Sequence, residues 1–144
     1  MKSAARKSSF KIHNHAPFKE SSEECMAGRG AVRQKLVRCA NGAVLDVLVD
    51  IRPESDTFGR QQSFELNDDE FRHLYVPPGF LHGFQALTNT ADVCYRIDRP
   101  HDPSEDISVA FNDPDLDINW PLQPTHVSDR DRSAPSWRTL LESL

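Results

Sequence analysis

From residue 34 onward, apolar and polar positions mostly alternate with a period of two, the signature of half-buried strands. Residues 35–39 (KLVRC) read as a strand, and residues 43–51 as another. Between them Asn41-Gly42 is a two-residue signal for a type I′ hairpin. In the second strand Val44, Asp46, Leu48 and Asp50 share one face, and Leu45, Val47, Val49 and Ile51 share the other. The second face is wholly aliphatic. The first carries two acids, so it is either solvated or lines a polar cavity. Residues 52–60 form a loop, 62–66 a short strand, and Asn67 predicts a capped single helical turn through Phe71.

The central stretch, residues 72–95, begins as a strand in which His73 and Tyr75 oppose Leu74 and Val76. It turns at Pro77-Pro78-Gly79, presents His82, resumes as strand over 83–87, turns again at 88–90 and runs out through Val93, Cys94 and Tyr95. Two prolines fix φ and the glycine then tolerates a positive φ, so the corner that carries His82 is stiff. Residues 107–111 alternate once more, and 112–121 form an irregular loop pinned by spaced apolar residues. Residues 137–144 are a candidate helix started by Pro135-Ser136. Residues 1–33 have no sustained period and are rich in Ser, Lys and Glu, which predicts an atypical, poorly ordered arm ahead of one domain over 34–144.

About seven short strands with almost no helix predict an all-β sandwich, jelly roll or barrel. The acidic face and the histidine at a corner favour a barrel holding a polar ligand. At 144 residues the chain is one domain long. A net charge of −5 argues against non-specific nucleic-acid binding. No apolar run approaches 18 residues, so no membrane span is expected. The basic start (Lys2, Arg6, Lys7) lacks an apolar stretch behind it, so no signal peptide is expected either. Three cysteines, Cys25, Cys39 and Cys94, form no CxxC; Cys39 and Cys94 fall in strand patterns, where a buried, reduced thiol is the expectation. Together these predict a cytoplasmic protein.

The segments KLVRCANGAVLDVLVDIR, SDTFGRQ, FELNDDEFRHLYVPPGFLHGFQAL, CYR, FNDPDLDINWPL and VSDRDRSAP occur in this order. Over residues 34–136 they resemble the dTDP-4-dehydrorhamnose 3,5-epimerases. The resemblance implies a cupin-type double-stranded β-helix (a jelly roll) with a short C-terminal helix. It also implies a homodimer, no metal or organic cofactor, and a dTDP-linked 4-keto-6-deoxyhexose as substrate in dTDP-rhamnose biosynthesis. Protons at C3 and C5 flank the C4 ketone, so inverting either centre needs a base, an acid on the opposite face, and a donor at the keto oxygen. By the resemblance Tyr95 is the proton donor, Lys35 steadies the keto oxygen, and His82 binds substrate. Asp131 orients the catalytic histidine, Arg130 meets the nucleotide sugar, and Asp106 contacts the sugar.

The chain departs from the family at two points: residues 1–33 do not resemble the family's N-terminal region, which supplies nucleotide-binding side chains and crosses to the partner subunit, and the base is not at its expected place. The family's base is a histidine in an RGLHxQ strand about ten residues before the lysine, where this chain has Cys25. The expectation is an epimerase-like chain with a catalytic rate near zero, read as a truncated inactive copy, as a sugar-nucleotide binder, or, least favoured, as an enzyme that takes its base from His13 or His15. The alternative from another class is a metal-binding cupin, with His13, His15 and Glu20 as a first motif and His82, in Pro77-Pro78-Gly79-Phe80-Leu81-His82, as the second.

Overall fold

A computed structural model describes residues 9–12, 33–100, 102, 104, 106–124 and 126–144. Its strands are β1 (Ser9–Ile12), β2 (Lys35–Asn41), β3 (Ala43–Asp50), β4 (Gln61–Asn67), β5 (Leu74–Val76), β6 (Phe80–Ala86), β7 (Asp92–Ile97) and β8 (His126–Val127). Two short helices follow, α1 (Asp129–Arg132) and α2 (Trp137–Leu141). The strands form a five-stranded sheet in the order β4-β3-β6-β1-β8 and a three-stranded sheet in the order β5-β2-β7. This is the all-β jelly roll with a short C-terminal helix that the sequence implied.

The two faces of β3 are used as their chemistry demands. The aliphatic face meets the C-terminal segment: Val49, Ile51 and Leu81 pack with Val109, Leu116, Trp137 and Leu140. Opposite it, Val44 and Leu48 pack with Val37, Cys39, Leu66 and Val76 between the two sheets. Burying an aliphatic side chain on each face contributes roughly 1.5–3 kcal/mol. A sheet covered on both sides in this way holds its strand register firmly.

Several local expectations are corrected. Asn41-Gly42 is not a hairpin turn. β2 pairs with β5 and β7, whereas β3 pairs with β4 and β6, so the dipeptide is the corner at which the chain changes sheets. A type I′ turn needs positive φ at both residues; here Gly42 has it (φ 75) and Asn41 does not. Asp68 Oδ2 accepts the Gly42 N–H at 2.8 Å, and a β-carbon at Gly42 would collide with the Thr90 carbonyl and the Thr88 hydroxyl. After β4 the chain makes a turn rather than a helical turn. Asn67 Oδ1 does accept the Glu70 N–H at 2.9 Å, but Phe71 leaves the helical region at φ 53.

Residues 107–111 form no extended strand. Residues 9–12, within the stretch that showed no period, form β1 against β6. Helix α1 was not foreseen, although Ser128 caps it by accepting the Asp131 N–H at 3.1 Å, a Ser-x-x-Asp signal. Cys39 is buried as expected, but Cys94 points outward and is exposed, because β7 is covered on one face alone.

Candidate active site

β2 places Lys35, Val37 and Cys39 on its buried face, and the polar member stands at the strand's start. The Lys35 side chain is 2% exposed. Burial first, and then the nearby Arg33 cation, lowers its pKa from 10.5 to about 8; Asp46 and Asp106 pull the other way. Across the space between the sheets, β3 supplies Asp46 and β6 supplies His82. Leu48 stands directly opposite His82 in the register, so Asp46 and His82 are a diagonal cross-strand pair. His82 Nε2 lies 2.9 Å from Asp46 Oδ2, and both residues are buried. The pair holds the imidazole in one orientation, with the carboxylate as its fixed acceptor.

Tyr95 comes from β7 and is half-buried against the inter-sheet core. Desolvation and then the Asp46 charge push its phenol up to about 12, so it stays protonated throughout the physiological range. Asp106, in the chain beyond β7, is half-buried and close enough to Lys35 to act on its charge. Lys35, His82 and Tyr95 therefore converge around Asp46, with Asp106 near Lys35. Asp131 is buried on α1, which packs near β1, and its Oδ2 accepts the Ser128 hydroxyl at 2.6 Å. Arg130 is also on α1, and its side chain lies outside the described residues, as do His13, His15, Glu20 and Cys25. Among the described residues no group of three or more His, Cys, Asp or Glu is arranged to hold a metal ion.

The two acids on the inner face of β3 divide the work between them. Asp50 accepts from the Arg52 guanidinium (2.6 Å), the Ser55 hydroxyl (2.7 Å) and the Thr57 hydroxyl (2.6 Å), which folds the following loop back onto the strand. The Arg52 contact holds its carboxyl well below the usual carboxylate range. The Arg52 guanidinium in turn lies 4.8 Å above the Phe80 ring. Asp46 meets no such loop and faces Lys35 and His82 instead. Asp46 and Arg33 were both missed as site residues. The alternation had already put Asp46 on an acidic inward face, which was the available signal; Arg33 lay at the edge of the stretch without period.

The sequence profile of the dTDP-4-dehydrorhamnose 3,5-epimerase family matches residues 26–139. The chain belongs to this family. The epimerase of Sinorhizobium fredii is 42% identical over 103 residues, which are 71% of this chain and 53% of that protein. The chain thus spans about half the length of that curated relative. Among solved structures, the dTDP-4-dehydrorhamnose 3,5-epimerase of Elizabethkingia anophelis superposes with a TM-score of 0.76 at 33% identity, over 91% of this chain and 67% of that one. A dTDP-6-deoxy-D-glucose-3,5-epimerase of Legionella pneumophila, solved in complex with dTDP-4-keto-L-rhamnose, superposes with a TM-score of 0.69 at 37% identity. That match covers 72% of this chain and 56% of that one. No helix among the described residues is long and apolar enough to cross a membrane.

Proposed function

We propose that this chain binds a dTDP-linked 4-keto-6-deoxyhexose between its two sheets and exchanges the protons beside the ketone. The observation that carries this reading is the convergence of Lys35, Tyr95 and His82 on Asp46 in one buried, polar space. Lys35, cationic over most of the physiological range, faces the negative charge that develops on the C4 oxygen as C3 or C5 loses its proton. Tyr95 keeps its proton up to about 12 and returns it to the carbon. His82, locked by Asp46, hydrogen-bonds the sugar, and Asp106 takes a hydroxyl. Arg130 meets the nucleotide half of the ligand, and Asp131, which in the family orients the base histidine, is hydrogen-bonded to Ser128, the cap of α1. No metal or organic cofactor enters this scheme.

The limiting element is the base. Among the described residues His82 is the imidazole on the inner faces of the sheets, and its Nε2 is committed to Asp46. With Cys25 where the family carries its base, and no second imidazole on these faces among the described residues, abstraction slows by on the order of 10²–10⁴, so the chain binds its ligand and turns it over poorly. The reading includes a cytoplasmic homodimer. Its favoured contact is the outer face of the three-stranded sheet, where Leu36 (40% exposed) and Tyr75 (53%) stand side by side in the register.

Incubation with dTDP-4-keto-6-deoxyglucose in D₂O, followed by proton NMR, tests the chemistry. Slow loss of the C3 or C5 signal, abolished by Tyr95→Phe, is expected. Exchange that survives Tyr95→Phe unchanged overturns the assignment of the acid. Absence of saturable dTDP-sugar binding overturns the whole reading.

A further inference from the structure

Arg33 lies two residues before Lys35 and, like Lys35 and Val37, is turned to the buried side of β2. It is 2% exposed. A guanidinium is rarely buried to that degree without polar partners, because removing it from water is costly. Its Nη2 donates to the Asp102 carbonyl at 2.9 Å, a contact across 69 positions of sequence. Its neighbour Gln34 ties the same chain from the other side. The Gln34 backbone N–H and side-chain amide both donate to the Asp98 carboxylate, at 3.1 and 3.3 Å, and the Asp98 N–H returns to the Gln34 carbonyl at 3.3 Å. The segment leaving β7 toward Asp106 is therefore fastened at two points to the two residues that precede Lys35.

We propose that Arg33 is a positioning residue of the site. Its bond to the Asp102 carbonyl holds the chain that leads to Asp106 against the strand bearing Lys35, and its permanent charge sets the field in which Lys35 ionises. The inference rests on the keto-sugar reading above and extends it to a residue outside the acid, the keto-oxygen cation and the sugar contacts. Two buried cations on one strand repel each other, which the Lys35 pKa of about 8 reflects after burial itself. The other ionisable groups turned to this space are Asp46 from β3, His82 from β6, Tyr95 from β7 and Asp106 from the chain beyond β7. Among the described residues none of these is a second permanent cation, so after burial itself it is Arg33 that tips the field against the Lys35 proton. The consequence is a Lys35 that remains mostly ammonium at neutral pH yet, with its pKa lowered to about 8, is a stronger hydrogen-bond donor to the developing enolate than an ordinary lysine.

Chain labelled with ¹³C-lysine has five lysines, and loss of one signal in Lys35→Met assigns the relevant Cε resonance. Its titration midpoint, without ligand, is expected near 8 in the wild type. Arg33→Gln is expected to move it upward toward 10.5, to speed amide exchange at Asp106 and Ile107 roughly tenfold, and to weaken dTDP-keto-sugar binding severalfold. Arg33→Lys keeps the charge and is expected to leave the midpoint in place while loosening the same amides. An Arg33→Gln midpoint equal to wild type overturns the proposal, and so does an Arg33→Lys midpoint as high as that of Arg33→Gln. Should Arg33→Gln fail to fold, Arg33→Lys decides through amide exchange, and unchanged exchange overturns the proposal. A wild-type chain that titrates as described yet binds no dTDP-sugar refutes the keto-sugar reading separately, because the midpoint is read without ligand.

Discussion

Replacing Lys35 by Met should make the protein more stable while removing its ligand binding. A buried ammonium is held in the folded state against its preference for water. The displacement of its pKa from 10.5 to about 8 measures that cost, net of the attraction from Asp46 and Asp106. Each pH unit of displacement is worth about 1.4 kcal/mol, so Lys35 weakens the fold by about 3 kcal/mol below pH 8. Met fills a similar volume with no charge to desolvate. The sign with pH follows from proton counting. Between pH 8 and 10.5 the unfolded chain holds the Lys35 proton and the folded chain has lost it, so wild-type stability gains from this residue as pH rises through that window. The advantage of Lys35→Met should thus be about 3 kcal/mol at pH 7 and should shrink toward zero by pH 10.5. Urea unfolding of both proteins at pH 7, 8.5 and 10 reads the difference directly, with equal m-values as the control. A variant no more stable than wild type at pH 7 would refute the argument, as would a difference that ignores pH. The trade between stability and a strained functional charge is the general one.

Gly42→Ala should destabilise by at least about 1–3 kcal/mol, since φ 75 and the collision with residues 88–90 add together; thermal unfolding measures it. Asp46→Ala strips the carboxylate from buried His82 and Lys35 and should cost about 3 kcal/mol and most ligand affinity; Asp46→Asn, which keeps an acceptor, should cost less. Absorbance near 295 nm should show one native tyrosine ionising near pH 12, lost in Tyr95→Phe. Because the folded state keeps a proton that the unfolded state releases, wild-type stability should fall relative to Tyr95→Phe between pH 10 and 12.

Most of the strand pattern and much of the candidate site were legible in the chain itself. Alternation depends on the two-residue period of the pleat, a local property, so β2 to β5 and β7 could be read within a residue or two; β6 begins at Phe80, three residues before the expected start, so His82 lies within the strand and not at the corner ahead of it. The same period split β3 into an aliphatic and an acidic side, whereas Lys35 was marked by the resemblance alone. The order of motifs carried the family and with it the jelly roll, and it marked Tyr95, His82, Asp106 and Asp131. Local capping chemistry at Ser128 was present and overlooked; Ser136, named as part of the start of the last helix, is its cap, accepting the Thr139 N–H.

Tertiary structure decided what strands do to one another. Asn41-Gly42 has the composition of a hairpin, yet the partners of β2 and β3 lie elsewhere, and the competition among sheets sent the chain around a corner instead. Asp46 and Asp50 are equivalent in the alternation. Only the fold gives one a loop of hydroxyls and a guanidinium and gives the other an imidazole and a buried lysine. Arg33 shows the same limit from the opposite side, for its role depends on a carbonyl 69 positions away. A sequence states which side chains are inward; which inward charges meet depends on register between distant strands, and that register sets the field at Lys35 and Tyr95.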